Sequence, residues 1–157
     1  MLSKYEKYLT DYERKEILDF EHIYFIGHRA HKVKANTSAH FDNKNNDYKY
    51  VLNDHIAYRY ELMDTVGRGA FGQVIKVYDH KRKALGALKI IKNKDNFYKQ
   101  ALVELKILRY VRDKDVRGCA NIVRVRDFVV FRGHVVFTGS YRSALYSSYS
   151  TSACMIS

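Results

Sequence analysis

Hydrophobic and polar residues in the middle of the chain follow the two periods that distinguish strands from helices. Residues 60–62 alternate apolar and polar, and residues 74–78 are β-branched or aromatic except for Lys76. Both patterns are typical of β-strands. A short glycine-rich segment that ends near Gly72 separates the two runs. The pattern therefore predicts a β-hairpin with the glycines at its tip.

A helical period follows the strands. Between Phe97 and Arg112, apolar residues recur on one face at about 100° per residue. The residues of this face are Phe97, Ala101, Leu105, Leu108 and Val111. We expect a long amphipathic helix that packs this face against the sheet.

Two charged residues interrupt these apolar surfaces. Lys89 lies at the centre of the apolar strand run Ala87–Ile91, and Glu104 falls in the middle of the apolar face of the helix. A buried ammonium or carboxylate is costly alone and tolerated when it is paired. We therefore expect Lys89 to pair with Glu104. In the alternative interpretation, Lys89 extends to solvent from an edge strand and Glu104 lies at the margin of the helix face.

The glycine-rich segment matches the phosphate-binding pattern G-x-G-x-x-G. It consists of Val66, Gly67, Arg68, Gly69, Ala70, Phe71, Gly72, Gln73 and Val74. In a dinucleotide-binding fold this pattern leaves a strand and opens a helix. Here a strand follows, which favours the kinase type of loop, whose backbone N–H groups approach triphosphate oxygens closely. An ordinary glycine-rich turn is the alternative interpretation.

The N-terminal third of the chain is more polar. Thr10 and Glu13 have the spacing of a capping box, which predicts a helix from Thr10 through Ile17. Residues 23–26 predict a short strand that ends at Gly27. Residues 28–50 are polar and rich in asparagine, and they predict a mobile loop.

The histidine and cysteine residues do not have the spacing typical of a metal site or of a set of disulfide bonds. His28 and His31 have no cysteine or further ligand in zinc spacing, so we interpret them as loop histidines and expect no metal site. Cys119 and Cys154 form no disulfide pattern, which favours a reducing compartment, cytoplasmic or nuclear.

The chain is strongly basic, with 28 Lys and Arg residues against 17 Asp and Glu residues and a net charge of +11. The basic residues are scattered, and the run 81–83 falls where a turn between strands is expected. A solvated surface explains most of them, and a nucleic-acid-binding surface is the alternative. The charged N-terminus predicts no secretory signal, and no apolar run approaches the roughly 18 residues that span a bilayer.

The order of glycine loop, strand lysine and helix glutamate resembles the ATP site of protein kinases. From about Leu9 to Thr138 the chain further resembles the dual-specificity tyrosine-regulated kinases, including their N-terminal accessory region. The matching blocks are 9–17, 23–27, 53–61, 71–74, 78–81, 87–89, 100–101, Glu104, 107–108, 121–123 and 131–134.

This resemblance implies a function for each site residue. Kinases of this family transfer phosphate from ATP to Ser or Thr of protein substrates and to a Tyr of their own activation loop, and the accessory region assists that self-phosphorylation. The resemblance implies that Lys89, oriented by Glu104, holds the phosphates of ATP. It also implies that the three glycines cover the phosphates while Val74 and Ala87 lie above the adenine. Gly86 departs from the family, which has a β-branched residue there, and weakens that strand slightly.

The resemblance ends at Gly139, where a Ser- and Tyr-rich tail begins. The family's adenine hinge, its catalytic-loop aspartate and asparagine, and its metal-binding aspartate do not follow. Residues 28–30 and 127–129 resemble short catalytic motifs but lack, respectively, the aspartate and the glycine that those motifs need. We therefore expect no catalytic residue in this chain and magnesium only in a complete kinase.

The sequence thus predicts an α+β fold, a kinase-like amino-terminal lobe with a five-stranded antiparallel sheet and one long helix, preceded by a helix-strand extension. The predicted divisions are an accessory extension at 1–57, the lobe at 58–138 and a tail at 139–157. A kinase truncated after the phosphate-binding half of its ATP site is the first functional interpretation. A regulatory module that mimics a kinase lobe and a basic nucleic-acid-binding module are the alternatives.

Overall fold

The structure is a computed structural model that describes residues 5–114 and 125–140. The predictions for Cys119, Cys154, residues 121–123 and residues 141–157 fall outside the described residues. The strands are β1 (His55–Ile56), β2 (Tyr60–Gly69), β3 (Gly72–Asp79), β4 (Ala84–Ile91), β5 (Val125–Phe131) and β6 (His134–Ser140). The helices are α1 (Asp11–Glu16) and α2 (Asp95–Lys114).

The strands form one antiparallel sheet in the order β1-β2-β3-β4-β6-β5. The predicted α+β class with one long helix is confirmed, but the prediction of five strands was wrong, because the sheet has six. The additional strand is β1, in which His55 and Ile56 pair with β2. Ala57 and Tyr58 reverse the chain between these strands with positive φ angles of 51° and 52°. A strand of two residues is too short to show the alternation of apolar and polar residues by which a sequence pattern detects strands.

The turn between β3 and β4 lies where the basic run 81–83 predicted it. Asp79 closes the turn because its carboxylate accepts hydrogen bonds from the backbone N–H groups of Lys81 (3.0 Å) and Arg82 (3.2 Å). Lys83 completes the reversal with a φ of 53°. The basic side chains of this turn are exposed, as expected of a solvated surface.

Helix α2 covers one face of the sheet. The predicted helix from Phe97 to Arg112 is confirmed and extends two residues further at each end. Ala101 and Leu105 are buried, and the rest of the predicted apolar face is half-buried. This face packs with four buried sheet residues, Ile91, Val125, Val135 and Phe137. The amphipathic pattern thus identified the packing face correctly.

The N-terminal extension covers the opposite face of the sheet. Strands β4 and β6 alternate between residues that pack beneath α2 and residues that point to the face opposite α2. The residues on the opposite face are Leu88, Ile90 and Val136. They share a hydrophobic core with residues of the extension, namely Leu9, Ile17, Ala35, Phe41, Tyr48 and Ile56. The extension and the lobe therefore meet in one continuous core. Strand β6 also continues past Thr138 through Gly139 to Ser140, which pair with β4.

Two predictions for the extension need correction and one is confirmed. Thr10 caps α1 through the predicted reciprocal bonds with Glu13. Residues 23–26 form no strand, because the N–H groups of Tyr24 and Phe25 both donate to the carbonyl of Tyr58 instead of to a ladder. Residues 28–50 lack long regular elements, yet they are packed rather than loose: their aromatic residues Phe41 and Tyr48 are each only 2% exposed.

Candidate nucleotide-binding site

The glycine-rich segment forms the predicted hairpin between β2 and β3. Gly67 pairs with Val74, Arg68 with Gln73, and Gly69 with Gly72. Ala70 and Phe71 form the turn, and the Phe71 ring packs edge-on against Phe97 of α2 at 5.4 Å. A strand, rather than a helix, follows the glycines, so the geometry excludes the dinucleotide-binding arrangement.

Gly69 and Gly72 differ in the space around them. A Cβ atom on Gly72 would lie 2.1 Å from the Ile90 carbonyl oxygen, and Gly72 also has a φ of +151°. The fold itself therefore requires glycine at this position. A Cβ atom on Gly69 would meet no atom within 4 Å. Because the space beside Gly69 is open, a ligand can approach its backbone there.

The residues predicted to meet the nucleotide lie on one face of the sheet. Val74 pairs directly with Lys89, and Ala87 lies two residues before Lys89 on β4. Directly paired residues and residues two apart on a strand share a face. The Nζ atom of Lys89 lies 2.6 Å from Oε1 of Glu104, which projects from α2 to the same side. The predicted pairing of Lys89 with Glu104 is confirmed.

The predicted burial of this pair was wrong. The side chains of Lys89 and Glu104 are 33% and 38% exposed, because they lie at the open edge between β4 and α2 rather than within the core. Water reaches both groups, so the pair stabilises the fold only weakly. Its geometry, an ammonium held beside the glycine hairpin, is suited to binding an anion.

A carboxylate that no sequence pattern indicated lies next to the glycine hairpin. The side chain of Asp47, in the extension, is 3% exposed and lies 3.7 Å from the Arg68 guanidinium of the hairpin. The Lys92 ammonium lies 3.8 Å from its Oδ1 atom. Among the described residues, Oδ1 of Asp47 is the buried side-chain atom without a hydrogen-bond partner. Asp47 lies in a polar asparagine-rich segment, where no sequence signal relates it to the glycines.

A buried charge cluster, which no sequence pattern indicated either, joins the extension to the sheet. The Arg132 side chain is fully buried and donates to Glu16 at 2.8 Å and to the Tyr48 hydroxyl at 3.1 Å. Its guanidinium also lies over the Phe41 ring at 3.7 Å and 3.4 Å from Glu13. Arg132 belonged to a matching block of the family resemblance, but its pattern gave no indication of these partners.

His55 and Glu13 form the centre of this cluster. The N–H of Tyr58 donates to Nδ1 of His55, so the ring proton is on Nε2, which donates to Glu13 at 3.0 Å. Burial lowers the pKa of His55 despite its acidic neighbours. Burial opposes the ionisation of Glu13, but the hydrogen bond from His55 and the charge of Lys32, 2.7 Å away, outweigh it and lower the Glu13 pKa to about 2.

The cluster is a set of ion pairs rather than an open metal site. Glu13, Asp54 and His55 bring ligand atoms within 4.8 Å of one another. However, Lys32 and Arg132 already contact the Glu13 carboxylate, and both nitrogens of His55 are in hydrogen bonds. The negative charge that would attract a cation is thus already neutralised by cationic side chains.

The antiparallel sheet, the long helix α2, the glycine hairpin and the Lys89–Glu104 pair together resemble the amino-terminal lobe of protein kinases.

Comparison with curated proteins finds kinases that are similar to this chain. The chain is 45% identical over 141 residues to human dual specificity tyrosine-phosphorylation-regulated kinase 4. It is 44% identical over 137 residues to a putative kinase 3 homolog of this family from Drosophila melanogaster. It is 42% identical over 140 residues to the probable serine/threonine-protein kinase dyrk2 of Dictyostelium discoideum. The chain is therefore homologous to the dual-specificity tyrosine-phosphorylation-regulated kinases, and the predicted resemblance is confirmed.

The match covers most of this chain but a small part of each relative. The three alignments include 87%, 85% and 87% of the chain and 27%, 16% and 15% of the relatives. No family model matches the chain. Among the described residues, no helix is both long and apolar enough to cross a membrane.

Proposed function

We propose that this chain provides the phosphate-binding half of the ATP site of a dual-specificity protein kinase. The observation that carries the proposal is the position of Lys89, held 2.6 Å from Glu104 on the face of the sheet that also bears Val74. In kinases a strand lysine in this arrangement contacts the α- and β-phosphates of ATP. Homology to kinases over 85–88% of the chain supports the same function.

The residues present fit a triphosphate. Open space beside Gly69 admits phosphate oxygens to the backbone N–H groups of the hairpin. The Lys89 ammonium supplies the charge, and its exposed fraction of 33% leaves it accessible. Val74, which is half-buried, and Ala87, which is 3% exposed, lie on the same face, where we place the adenine. Magnesium would come with the nucleotide, since kinases hold it with residues that lie after the matched segment.

We assign the transfer of phosphate to a longer protein that includes the matched segment. Phosphoryl transfer needs a carboxylate that orients the attacking hydroxyl, and magnesium ligands that bridge the phosphates. The 157 residues contain neither a His-Arg-Asp nor an Asp-Phe-Gly sequence. In a protein that adds these elements, the site would phosphorylate Ser or Thr of protein substrates and a Tyr of its own.

A titration tests the proposed site. We expect the 157-residue chain to bind ATP with magnesium at a Kd of about 1 mM or weaker, because half a cleft provides only about 4 kcal/mol of binding free energy. Shifts in NMR spectra should map to the glycine hairpin and β4. Lys89→Met should abolish these shifts, whereas Lys81→Met, the same substitution in the β3–β4 turn, should preserve them.

Two results of the titration would contradict the proposal. Micromolar, saturable binding would show that the site is not a half cleft, and binding insensitive to Lys89→Met would place the nucleotide elsewhere. If the chain instead bound RNA or DNA with a steep salt dependence, the nucleic-acid alternative would be favoured.

A second prediction concerns catalysis. We expect the isolated chain to transfer no labelled phosphate from ATP to a generic protein substrate or to its own tyrosines, because its 157 residues contain neither the His-Arg-Asp nor the Asp-Phe-Gly motif that kinases use for this step. The Lys89→Met variant, purified identically, reports the activity of contaminating kinases. Labelling by the natural chain that this variant lacks would refute the prediction.

A further inference from the structure

A loop of the extension is fastened to the glycine hairpin. We call residues 42–48 the docking loop. Its Tyr48 carbonyl accepts a hydrogen bond from the Gln73 side chain at 2.7 Å, and Gln73 follows the last glycine of the hairpin. Its Asn46 carbonyl accepts from the Asn93 N–H at 2.9 Å, and its Asp42 carboxylate binds His134 at 2.7 Å. The docking loop thus contacts the start of β3, the segment after β4 and the start of β6.

Asp47 is held rigidly within this loop. The Asn43 side chain accepts hydrogen bonds from the N–H groups of Asn45 (2.8 Å) and Asp47 (3.0 Å). The Asn43 N–H donates in return to the Asp47 carbonyl at 2.9 Å. These bonds form a closed turn that fixes the Asp47 backbone. The turn therefore fixes the point on the docking loop from which the carboxylate extends towards the hairpin.

The buried carboxylate faces two cations of the hairpin region. Arg68, between the first two glycines, lies 3.7 Å from Asp47 Oδ2, and Lys92 lies 3.8 Å from Oδ1. The Lys92 N–H also donates to the Phe71 carbonyl at the tip of the hairpin, at 3.0 Å. A carboxylate that is 3% exposed and lacks a hydrogen bond at Oδ1 is costly unless these charges offset it. Asp47 therefore links Arg68, on the first arm of the hairpin, to Lys92, which follows β4 and holds the hairpin tip through its bond to Phe71.

Asp47 acts from the side of the sheet opposite to the nucleotide. Arg68 pairs with Gln73, and Gln73 is buried against the docking loop. Val74, the next residue along β3, faces the Lys89 side. An anion bound at Lys89 is thus separated from the Asp47 carboxylate by the sheet. Asp47 can restrain the hairpin without competing directly for the phosphates.

We infer that Asp47 is a positioning residue for the phosphate-binding loop, which it restrains through Arg68 and Lys92. This inference rests on the proposed ATP site for its effect on binding, while the restraint itself does not depend on nucleotide. The extension thereby contributes to nucleotide affinity from outside the cleft. Its effect is to reduce the conformational freedom that the hairpin would lose on binding.

Hydrogen exchange of the full 157-residue chain without nucleotide tests the restraint. We expect Asp47→Asn, which preserves shape and removes the charge, to accelerate exchange of amides 68–73 about five- to tenfold, with core amides of β4 unchanged. Arg68→Gln should accelerate the same amides less, because the Arg68 side chain is 56% exposed, and the double variant should add little to Asp47→Asn. Asp64→Asn, an equal change of charge at an exposed position of β2, is the matched control.

The outcomes separate the inference from the proposed function. Unchanged exchange at 68–73 in Asp47→Asn would overturn the inference, and so would uniform acceleration over the whole chain, which would indicate a general structural contribution. A titration with magnesium and ATP should show affinity reduced about threefold or more in Asp47→Asn. Higher affinity would also overturn the inference, since it would indicate charge repulsion. If the natural chain binds no ATP, the proposed function fails while the exchange result still decides the restraint.

Discussion

At the scale of single residues, the glycines illustrate how the same residue type serves different purposes. Gly72 is required by the fold, because a Cβ atom there would lie 2.1 Å from the Ile90 carbonyl oxygen. Gly86 has no comparable constraint: an added Cβ atom would make ordinary contacts of 3.4 Å with the Gly139 carbonyl and 3.7 Å with Val77. The sequence placed Gly72 in the phosphate-binding pattern and Gly86 in a strand, but only the structure shows which of the two glycines the fold requires.

We expect opposite effects of alanine at these two glycines. Gly72→Ala should destabilise by about 2–4 kcal/mol, since it combines a backbone clash with a positive φ. Gly86→Ala should stabilise by about 0.4–1 kcal/mol, because alanine restricts the unfolded chain and fits the strand. Urea unfolding of both variants checks the signs. Destabilisation by Gly86→Ala would show that β4 and β6 approach more closely at this point.

At the scale of elements, burial decides what an ion pair contributes. Lys89 and Glu104 join β4 to α2 at an exposed edge, so we expect Glu104→Ala to cost less than about 1 kcal/mol. Arg132 joins the β5–β6 turn to the extension with both carboxylate partners buried or nearly so. Arg132→Met should cost about 3–5 kcal/mol, because it leaves those carboxylates without their cation.

Chemical denaturation of the two variants measures this contrast. The double variant of Lys89→Met and Glu104→Ala should show a coupling of at most about 1 kcal/mol. A loss of several kcal/mol from Glu104→Ala would mean that the pair is desolvated in solution. A small loss from Arg132→Met would mean that the extension leaves the sheet without unfolding the lobe.

At the scale of the whole molecule, the extension and the lobe depend on one shared core whose polar centre responds to acid. Glu13 has a folded pKa of about 2, below its ordinary 4.5, so its contribution to stability is complete above pH 4.5 and is lost between pH 4.5 and 2. The pKa of His55 is also lowered, from 6.5, so protonation in the unfolded state reduces stability as the pH falls below about 6.5. Burial raises the Asp54 pKa, which opposes these changes in part.

We therefore expect stability to decrease steadily from pH 7 to pH 3, with Glu13 accounting for about 2–3 kcal/mol. Urea unfolding at several pH values measures this dependence. Glu13→Gln should be less stable than the natural chain at pH 7 and should lose less stability between pH 5 and 3. An equal pH dependence of the two chains would exclude Glu13 as the source.

The local patterns of the sequence determined several elements of the lobe and of the extension, and part of the site. Four features arise from residues that are near one another along the chain. They are helix α2, the glycine hairpin, the β3–β4 turn and the capping box at Thr10. Periodicity and turn chemistry act over such distances, so the sequence predicts them directly. The pairing of Lys89 with Glu104 was predictable for the same reason, since adjacent elements contribute the two residues.

Only the tertiary structure decided how the extension meets the lobe. Four features depend on contacts between residues far apart in the sequence. They are strand β1, the packed segment 28–50, the partners of Arg132 and the position of Asp47 beside Arg68. Irregular segments have no period, and an isolated charge in a polar run gives no sign of its partner. These features exist because burial in a shared core brings distant polar groups together, where each must find a hydrogen bond or an opposite charge.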